Sequence, residues 1–257
     1  MEYACGEMLK PILVSLQGST KVFKDRFTTY SHIQRRIEPP NPNSSTPTSS
    51  SPVTCQRMTA HVSKGAILYL FPDPVTCFKH ASYNQLQTFH LEEGASLIVL
   101  DSFTSGRKSL GEEWEFWRYY SVNDVWANGR RVAKDVMLLE QDKEDEVRNS
   151  RWEGALPVRT LADRLAPYSC YATAILYGPA IRETLRDVSK QCEGISVFKQ
   201  TSPSPLLWSF SWVGPEREGG VIRVAAMDTE GVRNFLKELL HTISIVIGID
   251  TYHKAFP

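Results

Sequence analysis

Few residues of this chain could do metal chemistry. Cys77 and His80 stand three positions apart at the end of FPDPVTCFKH, and His61 and His90 hold matching places in two similar stretches. Thiolate and imidazole together suit a borderline divalent ion. A structural zinc site would draw four ligands from close pairs, and no such spacing occurs, so no tight preformed metal site is expected. A weak site that a divalent ion visits in passing is the most these residues offer. The plainer reading is that each is a packed or hydrogen-bonded strand residue.

Carboxylates form the second group. Asp101, Glu112 and Glu113 lie near one another in the sequence, and carboxylate pairs on winding β folds can cleave glycosidic bonds. If EEWEFWRYY is a strand, Glu113, Glu115 and Trp117 share one face while Trp114, Phe116 and Arg118 share the other. A solvated strand face explains the acids without catalysis. Other chemistries lack their signatures. There is no Gly-x-Ser-x-Gly elbow or recognisable cysteine-nucleophile motif. Nor is there a Gly-x-x-x-x-Gly-Lys-Ser/Thr loop or a Gly-x-Gly-x-x-Gly turn for nucleotides.

Overall charge points to no partner. Lysine and arginine number 29 and acids 29, so no net field draws the chain to nucleic acid or to an anionic membrane. The local run Lys21, Lys24, Arg26, Arg35 and Arg36, with Phe23, Phe27 and Tyr30 between, reads as a solvated strand and loop edge. Five cysteines without a Cys-x-x-Cys pair fit a reducing, cytoplasmic setting. The N-terminal residues lack a signal-peptide pattern, and no apolar run is long enough to span a bilayer.

The elements that must position these residues are mostly strands. Between Gln56 and Glu140 short β-rich runs alternate with turn residues, Pro72 and Pro74 mark a corner, and Asn128-Gly129 marks a hairpin. An internal echo stands out. Gln56 to Leu68 and Gln85 to Leu97 align without gaps at an offset of 29, with six of thirteen positions identical. Each copy is strand, Gly-Ala turn, strand, the kind of repeat that winding β architectures produce. Further on, Ile181, Leu185, Val188 and Cys192 share one helical face. A second helix with a broad apolar stripe starts near Asp228 or Thr229. Residues 38–54, almost all Pro, Ser, Thr and Asn, read as a disordered insertion. The expectation is a single domain over 1–257, mainly β, with winding, β-helix-like strands in stacked sheets and about two helices in the C-terminal half.

The segment LDSFTSGRKSLGEEWEFWRYYSVNDVWANGRRVAKDVMLLE, Leu100 to Glu140, resembles the UreD (UreH) family of urease accessory proteins. The matching features are Asp101, Gly106-Arg107, Gly111-Glu112, the aromatic run Trp114 to Tyr120, and Asp135 after the hairpin. Upstream, Gln17 with GSTKVFK is similar to the family's Gln-Gly-x-Thr-Lys strand, placing Gln17, Thr20 and Lys21 in the motif. The resemblance covers most of residues 14–140.

The resemblance implies a right-handed winding β fold and no catalysed reaction. It implies partners, namely UreF-like and UreG-like accessory proteins and the urease apoprotein, and nickel carried as cargo through an internal channel, with no tightly bound cofactor. Residues that would then line the route are His61, His90, Asp101 and Glu112, with Cys77 and His80 as further candidates. The family usually has another β segment ahead of its Gln-Gly strand, and only sixteen residues precede Gln17 here. Either the chain is shortened or its start was chosen late, and a missing edge would expose unpaired strand groups.

Overall fold

The computed structural model describes residues 2–5, 12–16, 20–23, 53–141, 159–195 and 203–256. Among these, thirteen strands form two sheets. The first runs in the order β1 (Glu2–Cys5), β4 (Thr54–Val62), β7 (Ser82–Leu91), β9 (Arg118–Ala127), β10 (Arg130–Glu140). The second runs β12 (Leu206–Val213), β13 (Gly219–Ala226), β11 (Cys170–Tyr177), β8 (Ser96–Thr104), β5 (Ile67–Pro72), β2 (Ile12–Leu16). The short strands β6 (Val75–Cys77) and β3 (Lys21–Val22) extend it beside β8.

The echo has a direct structural meaning. Strands β4 and β7 pair parallel with Gln56 opposite Gln85, Thr59 opposite Thr88 and His61 opposite His90. Strands β5 and β8 pair parallel with Leu68 opposite Leu97. Between them the two Gly-Ala turns stack: Gly65 N donates to Glu93 O at 3.0 Å, and Ser96 N donates to Ala66 O at 2.9 Å. Gly65 and Gly94 adopt φ of 69° and 70°, a left-handed conformation that glycine takes without steric cost. Positions that occupy equivalent places in adjacent layers meet equivalent surroundings, which is why they carry the same residues.

Both sheets are mixed. From β4 to β9 the chain passes repeatedly between the sheets and lays parallel neighbours, whereas β9 and β10, and β8, β11, β13 and β12, pair antiparallel. The hairpin at Asn128-Gly129 forms as expected, with φ of 50° and 75°. The Pro72–Pro74 corner separates β5 from β6.

Two expectations need correction. The strand expected from Glu113 begins only at Arg118, because Trp114 sits at φ 60° and cannot extend a ladder. Its ring is instead buried among Phe103, Phe116 and Tyr171. Strand β1 pairs parallel with β4 and β2 with β5, and each ends its sheet order. Five α-helices form among the described residues, not two: α1 (Leu161–Leu165), α2 (Arg182–Glu193), α3 (Thr229–Leu239), α4 (Ser244–Ile247) and α5 (Ile249–Ala255). The expected pair are α2 and α3, while the others are too short to show a repeated apolar period. Of the expected insertion only Val53 and Thr54 fall in the described residues, and Thr54 opens β4.

The core has three parts. Met58, Val62, Phe89, Leu97, Val99 and Val125 fill the space between the sheets. Helices α2 to α5 cover the other face of the second sheet over Ile98, Ile222 and Val224. An aromatic cluster of Tyr83, Phe103, Trp114, Phe116 and Tyr119 closes one end. No helix among the described residues is long and apolar enough to cross a membrane.

Candidate functional site

Alternation along β8 decides where Asp101 goes. Leu97, Val99 and Phe103 face the first sheet, so Asp101 does too, while Ile98, Leu100 and Ser102 face the helices. The strands opposite supply its partners. On β7, Gln85 Nε2 donates to Asp101 Oδ1 at 2.9 Å. On β9, the Tyr119 hydroxyl donates to Oδ1 at 3.3 Å, and Ser121 Oγ and Asn123 Nδ2 donate to Oδ2 at 2.5 Å and 2.8 Å. The network extends outward through Tyr83, whose hydroxyl lies 2.6 Å from Gln56 Oε1 and 3.2 Å from Gln85 Oε1. The amide oxygens of Gln87 and Asn123 are buried with no hydrogen-bond partner among the described residues.

The result is a polar seam inside an otherwise apolar layer. Burial pushes the Asp101 carboxyl above its ordinary range, and the hydrogen bonds from Ser121, Asn123, Gln85 and Tyr119 pull it back. Burial, reinforced by the nearby Asp101 charge, raises the Tyr119 hydroxyl well above its usual value. Chemically the seam presents carboxylate, amide and hydroxyl oxygens. Such donors interact with a divalent cation without the tight hold of thiolates and imidazoles. Among the described residues, no group of three or more His, Cys, Asp or Glu is placed to hold a metal ion.

The other expected residues lie elsewhere. His61 and His90 point away from the seam on the outer face of the first sheet, opposite in parity to buried Ala60, Val62, Phe89 and Leu91. Their rings stack at 4.8 Å, followed by Trp126 at 6.4 Å from His90 and the Arg131 guanidinium 4.7 Å from the Trp126 ring. Cys77 and His80 do not converge. Cys77 is packed in the aromatic-rich core, where burial pushes its thiol up to about 12, whereas the His80 ring stacks on Trp117 at 4.7 Å.

Glu112 is an anchor in a turn. Arg107 donates to both of its oxygens, Nε to Oε2 at 2.8 Å and Nη2 to Oε1 at 2.5 Å, and the guanidinium lies 4.3 Å from the Phe78 ring centre. Asp101 and Glu112 sit in separate hydrogen-bond networks, Asp101 in the seam between the sheets and Glu112 in the Arg107 turn. Gly106, at φ 128°, leaves no room for a side chain, since an added Cβ would lie 2.7 Å from Glu112 O. Gly111, at φ 76°, ends the single helical turn Lys108–Leu110. Asp135 Oδ1 accepts from Arg223 Nη2 at 2.6 Å and so links β10 of one sheet to β13 of the other. Thr20 O accepts from Thr76 N at 2.8 Å, Lys21 pairs opposite Thr76, and Gln17 lies outside the described residues.

Sequence reasoning found Asp101 but missed Gln85, Tyr119, Ser121 and Asn123. The signal was available. The inward parity of Phe89 and Leu91, traced back along β7, falls on Gln87 and Gln85, and that of Val125 and Ala127 on β9 falls on Asn123 and Ser121.

Fold and site together define a β-rich scaffold with a polar seam in its core. A family model described as UreD urease accessory protein matches residues 12–251, and the chain belongs to that family. It is 29% identical over 240 residues to urease accessory protein 4 of Cryptococcus neoformans, covering 89% of this chain and 68% of that protein. It is 32% identical to urease accessory protein D of Oryza sativa subsp. indica, covering 77% of this chain and 66% of the relative. Against urease accessory protein D of Arabidopsis thaliana the identity is 31%, covering 77% and 69%. The chain thus spans about two thirds of the length of these relatives.

Proposed function

We propose that the chain is a non-catalytic scaffold for urease maturation that helps deliver nickel to the urease active site. The observation that carries this reading is family membership across residues 12–251, joined by relatives from fungi and plants named as urease accessory proteins. In this reading nickel is cargo, no cofactor is tightly bound, and the work is done in the cytoplasm. The partners are UreF-like and UreG-like accessory proteins and the urease apoprotein. The chain acts as one domain, with its parallel strands winding between the two sheets.

Asp101 is the residue best suited to act on a passing cation. Its buried charge attracts a divalent ion, while its four existing donors compete with that ion, so any hold is weak and reversible. Deleting the gene in a urease-positive host should leave urease protein present but without nickel, and normal nickel loading in that strain would sink the proposal. Turnover of a glycoside substrate, abolished by Glu112→Gln, would favour a carbohydrate-active enzyme instead.

A further inference from the structure

Ser102 is the immediate neighbour of Asp101 and faces the opposite way. There a cavity of about 70 Å³ lies among β5, β8, α3 and α5, large enough for several waters or one small organic molecule. Its apolar wall includes Phe71, Leu236 and Phe256. Ser102 lines it at 3% exposure, and its hydroxyl has no hydrogen-bond partner among the described residues. A buried hydroxyl left unpaired is costly, and its presence calls for a partner that enters from outside.

Charge at the cavity favours an anion. Arg233 and Lys254 line it, both exposed on the solvent side, and so does Thr229, the first residue of the 11-residue helix α3. The N-terminal end of a helix carries partial positive charge. Two acids lie close by. Asp73 lines the cavity and pairs with Arg233 at 3.4 Å, while Asp228 caps α3 by accepting from Gly231 N at 2.7 Å. Asp73 is neutralised by Arg233 and Asp228 is held by a backbone N–H, so among the described residues Lys254 is the lining cation with no ion pair.

We propose that this cavity binds a small organic carboxylate. Its charged end meets Arg233, Lys254 and the start of α3, one oxygen satisfies the Ser102 hydroxyl, and a short apolar tail rests on Phe71, Leu236 and Phe256. The site stands or falls separately from the role in urease maturation.

The test is saturation-transfer NMR on the full chain with acetate and propionate, with propionamide as the uncharged match and inorganic phosphate, followed by phosphorus-31 line broadening, as the other anion source. Propionate should bind, propionamide should not, and Ser102→Ala and Arg233→Gln should each weaken binding roughly tenfold, the loss of one charge-assisted hydrogen bond. Ser102→Ala removes a hydroxyl that holds nothing else, so a melting temperature that is unchanged or raised shows that the fold is intact. Three results would overturn the proposal: no transfer to propionate, equal binding of propionamide, or full binding by both variants. Binding of phosphate without propionate would replace the carboxylate by an inorganic ion.

Discussion

Gln85 donates to Asp101 at 2.9 Å across the space between the two sheets, and its side-chain oxygen lies 3.2 Å from the Tyr83 hydroxyl. One glutamine thus ties a buried carboxylate on β8 to a hydrogen-bond chain that runs back to Gln56, the position 29 residues earlier in the echo. The parallel register that repeats the sequence also lines up the polar side chains.

Replacing Asp101 tests the seam's contribution to stability. Asp101→Ala strands four donors and opens a void, and should lower unfolding free energy by about 3 kcal/mol. Asp101→Asn keeps the shape and should cost less. Because burial raises the folded-state pKa, the folded chain binds the proton more tightly than the unfolded one. The stabilisation from Asp101 is therefore full below the ordinary carboxylate pKa and is lost as pH rises through the raised value. Urea denaturation at several pH values should show this dependence in the wild type and not in Asp101→Asn.

Glu112 should behave in the opposite sense. The Arg107 hydrogen bond holds its carboxyl below the ordinary value, so its contribution is present above that value and lost as pH falls through the lowered one. The pair is partly exposed, with side-chain exposures of 38% and 18%, so the effect should be small and weaken in salt. A melting-temperature profile of Glu112→Gln against wild type at acid pH, in low and high salt, checks both points.

Turn geometry gives a further test. Gly94 has φ of 70°, and an added Cβ would lie 3.8 Å from the Gly65 backbone, so space is adequate and only backbone conformation is penalised. Gly94→Ala should cost about 1 kcal/mol and Gly94→Asn less, since asparagine tolerates the left-handed region. Chemical denaturation of the two variants measures the difference. Equal costs would point to a steric cause.

Cysteine labelling tests the packing. Burial pushes the thiols of both Cys77 and Cys170 up to about 12, whereas Cys55 is exposed. Thiolate is the reactive form, so iodoacetamide on the native chain should modify Cys55 and spare Cys77 and Cys170 until unfolding. Peptide mass spectrometry reads this directly.

Legibility followed period. The echo and helices α2 and α3 were visible because parallel stacking and helical faces impose repeats on the sequence. The aromatic run after Glu112 misled because its alternation of buried Trp114 and Phe116 with less buried neighbours matches a strand, although the backbone there turns at Trp114. The partners of Asp101 come from β7 and β9: strand parity turns Gln85, Ser121 and Asn123 inward, but which residue they meet across the sheets is set by the fold. His61 and His90 lie side by side on adjacent strands, as their matching places suggested, but strand parity turned them outward.

The most direct test of the central claim is the nickel content of urease purified from a urease-positive host lacking this gene. The account predicts full-length urease with little nickel and little activity, and recovery of both when the gene is restored. Urease that carries its full nickel complement without the gene would contradict it.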